Sequence, residues 1–124
     1  MANREIILEA SLKLRKSDTE KVRGEIRNTI LQRKGKIPAQ PSAGCVFKNI
    51  KKDGQLIAAV GKLVEECGLK GVKFGGAEIP HLHGNYVVNT GGAKAEDVVR
   101  LINLCKQKIK ERFNLELEEE IIVM

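Results

Sequence analysis

The chain has 124 residues, 42% hydrophobic and 31% charged, which fits one globular domain with a single core and excludes intrinsic disorder, collagen-like repeats and low complexity. Its formal net charge is +6, carried unevenly: residues 1–73 hold 16 Lys or Arg against 8 Asp or Glu, and residues 74–124 hold 6 against 8. No apolar run approaches the roughly 18 residues of a membrane span, and Glu5 and Glu9 stand where a signal peptide is apolar, so a cytoplasmic protein is expected.

Over residues 6–14, Ile6, Leu8, Ala10, Leu12 and Leu14 alternate with Glu5, Ile7, Glu9, Ser11 and Lys13, the pattern of a half-buried strand. Ser17 and Glu20 have capping-box spacing, and Val22, Ile26 and Ile30 then recur at helical spacing. A helix is expected over residues 18–32, with Lys21, Arg23 and Arg27 on its other face. The run KGKIPAQPSAG at 34–44 cannot hold a regular element and reads as a loop of a length usually tied to function or disorder. A short strand is expected over 45–50, then a helix over 56–67 with Ile57, Val60 and Val64 inward and Gly68 as its left-handed stop.

Short strands over 71–74 and 85–89 flank the irregular GGAEIPHLHG. Thr90-Gly91-Gly92 turns into a helix over 95–112, with Val98, Ile102, Cys105 and Ile109 on one stripe. Glu96 and Asp97 at its start and Lys108, Lys110 and Arg112 at its end follow the helix dipole. Over 115–123, Leu115, Leu117, Ile121 and Val123 alternate with Glu116, Glu118 and Glu120. This is a closing strand whose glutamates read mostly as a solvated edge. The element order predicts an α+β domain over 1–124, three helices against a mostly antiparallel sheet.

PSAGCVFKN is the most informative stretch, because a Pro/Gly loop delivers the Cys45 thiol, the Lys48 ammonium and the Asn49 amide within five residues. In a strand, Cys45, Phe47 and Asn49 share one side. The competing reading makes Cys45 a small core residue. Cys67 and Cys105 fall on apolar helix stripes and read as core; three cysteines without a Cys-x-x-Cys pair suit a reducing compartment. Gly75-Gly76 and Thr90-Gly91-Gly92 could bring a backbone to a phosphate, but neither fits a phosphate-loop fingerprint, and turns are the default. His81 and His83 with Cys45 lack a fourth ligand, so no metal is expected. The basic first part favours a phosphorylated ligand over nucleic acid, since no aromatic residues interleave with its charges, and no membrane partner is expected.

PSAGCVFKN, GKLVEECGLKG, GGAEIPHLHGNYVVNTGGAKAEDV and LELEEEI, in that order and spacing, closely resemble the carboxy-terminal domain of UDP-N-acetylenolpyruvoylglucosamine reductase, the MurB flavoenzyme of peptidoglycan synthesis. REIILEASLKL resembles the segment entering that domain, and the family's two preceding FAD-binding domains have no counterpart here. The resemblance implies a UDP-N-acetylmuramate dehydrogenase reaction. Reduced flavin, itself reduced by NADPH, gives a hydride to the vinyl carbon of UDP-N-acetylglucosamine enolpyruvate, and a protein acid protonates the neighbouring carbon to form the lactyl ether.

It puts the proton donor at Cys45, where serine is commonest; a thiol, with its ordinary pKa near about 8.5, is mostly protonated at neutral pH yet more acidic than an alcohol. It puts the carboxylate that stabilises the enol-like intermediate at Glu120, and substrate contacts at Lys48, Asn49, His83 and Asn85. Ile50, Leu82 and Ile122 depart from the family's usual proline, lysine and arginine. The expected function is the substrate-binding, proton-donating domain of this reductase, an isolated, truncated or split member with no cofactor of its own and the FAD domains in cis or on another chain. The alternatives are a stand-alone, non-catalytic nucleotide-sugar-binding relative and a basic nucleic-acid binder.

Overall fold

The computed structural model describes residues 8–123. The chain folds as α1 (Thr19–Arg33), β1 (Ser42–Cys45), β2 (Ile50–Lys52), β3 (Gln55–Ala58), α2 (Val60–Glu66), β4 (Lys73–Phe74), β5 (Ala77–Glu78), β6 (Tyr86–Asn89) and α3 (Ala95–Phe113). It divides into two units, one ending at Gln32 and one beginning at Arg33. No helix among the described residues is long and apolar enough to cross a membrane.

In the second unit, β1, β6, β5 and β4 form a sheet in that order with every pairing antiparallel, and β2 and β3 form a separate hairpin. The α+β class expected from the sequence is what the chain adopts. Helix α3 lies against β4 and β5 and touches α2. Its stripe of Leu101, Ile102, Cys105 and Ile109 is buried, as are Val60, Leu63 and Val64 of α2, and they meet Phe47, Ala77, Ile79 and Leu117 in one core. Each such side chain contributes roughly 1.5–3 kcal/mol by leaving water.

The helix ends are fixed by local hydrogen bonds. Helix α2 closes in a Schellman motif, with Gly68 N–H donating to Glu65 O and Leu69 N–H to Val64 O. At the start of α3, Asp97 Oδ2 accepts from Lys94 N–H at 3.0 Å and Gly76 N–H at 3.4 Å, tying the helix to the β4–β5 turn. At the start of α1 the cap is Asp18, whose Oδ1 accepts from Lys21 N–H at 3.0 Å, rather than the expected Ser17.

Four expectations need correction. The strand over 6–14 is not formed across its described part, 8–14, because nothing among the described residues pairs with it; Glu5, Ile6 and Ile7 lie outside the described residues. The end of the expected loop, Ser42 to Gly44, is strand, because β6 pairs with it. The expected helix starts only at Val60: residues 55–58 are strand, since Asp53 at φ 52° and Gly54 at φ 78° turn β2 back on β3. Ile57 is therefore exposed rather than inward.

The closing strand reduces to one isolated bridge, Phe47 to Glu119, flanked by Lys48 N–H to Glu118 O and Glu120 N–H to Val46 O. Only that short stretch lies close enough to residues 46–48 to pair. Its glutamates do form a solvated edge: Glu118 pairs with Lys48 and Glu116 with Lys110, all largely exposed. Such pairs add little stability.

Candidate functional site

Strands β1 and β6 pair out of step. Ser42 lies opposite Val88 and Cys45 opposite Tyr86, so β1 carries one extra residue between these pairs. Gly44 sits at that bulge with φ 90°, a conformation that side chains disfavour although a methyl group there would meet nothing. A bulge re-aims the next side chain. Here that side chain is Cys45, half-buried at the strand end.

Cys45 lines a cleft of about 430 Å³ together with Asn49, Lys62, Glu65, Lys70 and His83. Beyond the loop, Asn49 Oδ1 accepts from Val60 N–H at 3.1 Å, capping α2 from a distance where its own N-cap, Ala59, has no side-chain acceptor. His83 Nδ1 accepts from Asn85 N–H at 3.1 Å, so the ring proton resides on Nε2. The ring meets Tyr86 edge-on at 4.8 Å and lies against Gly61, where a methyl group would come within 3.2 Å of Cε1. Lys70 pairs with Glu65 at 2.9 Å, while Lys62 forms no ion pair among the described residues.

The cleft thus gathers Cys45, Asn49 and His83. Asn85 also lines it, but its side chain is directed elsewhere: the residue is 3% exposed, with Oδ1 accepting from Phe47 N–H at 2.9 Å and Nδ2 donating to Phe47 O at 2.8 Å. With Asn85 O accepting from Val46 N–H, one residue holds the chain that follows Cys45. The Asn85 amide is thus engaged by the Phe47 backbone.

Lys48 and Glu120 do not line the cleft. Both are exposed, and Glu118 beside Lys48 raises its pKa through a hydrogen bond and charge, with Glu120 adding a smaller raising effect. That places Lys48 and Glu120 near each other, on the edge where residues 118–120 run beside Val46 and Lys48.

Lys62 and Lys70 were not singled out from the sequence; both line the cleft, where Glu65 offsets the charge of Lys70, and Tyr86, outside the lining, lies opposite Cys45 across the strands. Burial raises the Tyr86 phenol above its ordinary value, and the Cys45 sulfur raises it further by charge and hydrogen bonding. The phenol therefore stays a hydrogen-bond donor through neutral pH. A register argument would have found Tyr86, but only once the bulge was known.

The glycine turns are structural. A methyl group at Gly76 would sit 2.2 Å from Gly91 O and 2.4 Å from Ala93 N, and Thr90 donates to Gly76 O from both N–H and Oγ1, so the two turns pack on each other. The contact is made at Gly76 alone: at Gly75 a methyl group would meet the Asp97 carboxylate, and at Gly91 and Gly92 it would meet nothing. A second cleft, of about 420 Å³ between Ser42, Val88, Ala95 and Val98, is mostly apolar and contains none of the expected site residues.

Residues 36–124 match the family model for UDP-N-acetylenolpyruvoylglucosamine reductase, C-terminal domain. The chain is 44% identical over 117 residues to UDP-N-acetylenolpyruvoylglucosamine reductase of Fervidobacterium nodosum, covering 94% of this chain and 37% of the relative. It is 41% identical over 120 residues to the reductase of Bacillus pumilus, covering 96% and 38%. The crystal structure of UDP-N-acetylenolpyruvylglucosamine reductase (MurB) from Thermus caldophilus superposes with a TM-score of 0.65 at 38% identity, over 90% of this chain and 38% of that one. The chain thus spans somewhat over a third of the length of these relatives.

Proposed function

This chain belongs to the UDP-N-acetylenolpyruvoylglucosamine reductase family, and on that premise we propose that it is the substrate-binding and proton-donating part of such an enzyme. The observation that carries the reading is the bulge at Gly44, which turns a thiol into a cleft shared with an amide, an imidazole and two lysines. The family relationship implies that the hydride comes from a reduced flavin held outside this chain.

Within the chain, each group has a distinct task. Lys62, which forms no ion pair among the described residues, attracts the diphosphate of the nucleotide sugar, and the Nε2–H of His83 donates to a substrate oxygen. Cys45 gives its proton to the substrate carbon next to the one that accepts the hydride, completing addition of hydrogen across the double bond. Solvent then returns a proton to the thiolate left behind. On the adjoining edge, Glu120 stabilises the enol-like intermediate and Lys48 contacts the substrate.

Thiol labelling tests the placement of Cys45. Burial pushes Cys105 up to about 12 and raises Cys67 as well, so both thiols stay protonated and slow to react. In the native chain Cys45 is expected to be modified first, with UDP-N-acetylglucosamine slowing only that reaction. Faster modification of Cys67, or labelling of Cys45 indifferent to the nucleotide sugar, would contradict the assignment.

A further inference from the structure

The apolar alternation over 115–123 is broken at one place. Leu115, Leu117, Ile121 and Val123 fall on one side, and Glu119 is the residue between them on that side. The structure keeps this placement where the segment meets the core. Leu117 is buried, Ile121 packs against the core, and the Glu119 side chain between them is 35% exposed, against 73% for Glu118 beside it. A carboxylate on an inward side needs a partner.

Helix α3 supplies one. Lys106 Nζ donates to Glu119 Oε1 at 2.6 Å, and the lysine side chain is itself only 36% exposed. Chiefly through that hydrogen bond, Lys106 holds the Glu119 carboxyl below its ordinary value, so the pair is ionised at neutral pH. Glu119 is also the residue that bridges to Phe47. On either side of it, Lys48 N–H donates to Glu118 O and Glu120 N–H to Val46 O, the two bonds that join this edge to the chain after Cys45. Glu118, Glu119 and Glu120 are chemically alike, and a slip of one residue would exchange the inward and outward ones.

We propose that Lys106 is a positioning residue for Glu120: by drawing Glu119 inward against α3, it selects which of three consecutive glutamates face outward and holds Glu120 on the edge beside Lys48. This rests on the proposed role of Glu120 in stabilising the enol-like intermediate, and it names the residue that keeps Glu120 in register for that role.

Amide exchange on the full chain tests the register. Lys106→Met removes the ammonium and keeps a long side chain. It is expected to speed exchange at Glu120 N–H and Lys48 N–H by about tenfold while the amides of Leu101 and Ile109 in α3 keep the parent rate. Lys106→Arg, which retains the charge, should restore parent exchange. So should Lys106→Met combined with Glu119→Leu, because leucine completes the apolar side and leaves no charge there unpaired. In an enzyme completed with the preceding part of a relative, Lys106→Met should slow consumption of the enolpyruvyl substrate by about tenfold to a hundredfold, in kcat rather than KM, with flavin reduction by NADPH unchanged. Unchanged exchange at both amides in Lys106→Met, loosening that spreads through α3, or failure of the paired replacement to restore protection would each overturn the proposal. Glu120→Gln reports separately on Glu120 itself. If Glu120→Gln is slow and Lys106→Met is not, the positioning role fails and that of Glu120 stands; if Glu120→Gln consumes substrate like the parent, the role of Glu120 fails and exchange alone decides whether Lys106 sets the register.

Discussion

Replacing Cys45 by alanine in an enzyme completed with the preceding part of a relative is expected to leave NADPH consumption in the first half-reaction intact and to stall consumption of the enolpyruvyl substrate. A positioned general acid is worth about 10² to 10⁴ in rate, and loss within that range is expected for the second half-reaction. Cys45→Ser should retain most of the turnover, because a hydroxyl in the same place reaches the same carbon. The contrast separates a proton donor from a packing residue: Cys45 is only half-buried, so its truncation costs little stability. Stopped-flow measurement of the two half-reactions decides it, and an alanine variant that consumes substrate as fast as the parent would leave Cys45 as a small wall residue.

Asn85→Ala is expected to produce the largest loss of stability among the cleft residues. Its amide satisfies both the N–H and the carbonyl of Phe47, a residue only 2% exposed, and neither group has water to turn to. Each buried group left unpaired costs about 1–3 kcal/mol. Two such groups give a loss of about 2–6 kcal/mol, or a fall in melting temperature of roughly 8 °C or more for a unit of this size. Asn85→Asp should not rescue it, because a carboxylate keeps the acceptor but sets a negative charge against Phe47 O. If thermal unfolding of Asn85→Ala matched the parent while nucleotide-sugar affinity collapsed, the residue would be a substrate contact and not the clamp described above.

The sequence reading reached some of this and missed some for identifiable reasons. Helix α3 was legible because Ile102, Cys105 and Ile109 mark a buried stripe over a long span, and the end of α2 because Gly68 has a specific geometric task. The strand over 55–58 was misread as helix since Leu56, Ile57 and Val60 also suit helical spacing; Asp53-Gly54, a strong hairpin signal, was the clue that outweighed it. Alternation over 8–14 and 115–123 reports a face suited to pairing, but a strand also needs a partner, and within the described residues 8–14 have none while 115–123 have one bridge.

The site shows the same division. Cys45 and Asn49 are close in sequence, and the family resemblance added His83, so their convergence was foreseeable. Lys62 on α2 and Lys70 in the turn after it reach the cleft only through packing, and Tyr86 comes opposite Cys45 only through the register of β6, which spacing does not encode. Nothing local in the sequence indicates that the Asn85 amide is engaged by Phe47 from 38 residues away. Lys48 and Glu120 come near each other across residues 46–48 and 118–120, yet stand outside the cleft this chain forms.

By the function proposed above, the cleft between β1, α2 and the loop before β6 receives the nucleotide sugar. Titration of the isotopically labelled full chain with UDP-N-acetylglucosamine, followed by amide and side-chain NMR shifts, tests it most directly. Saturable shifts are expected at Cys45, Asn49, Lys62, His83 and Gly84, weak in affinity because the rest of the enzyme completes the site, and none from unrelated nucleotides at equal concentration. Shifts confined to Ser42, Ala95 and Val98 around the second cleft, or equal responses to any nucleotide, would contradict it.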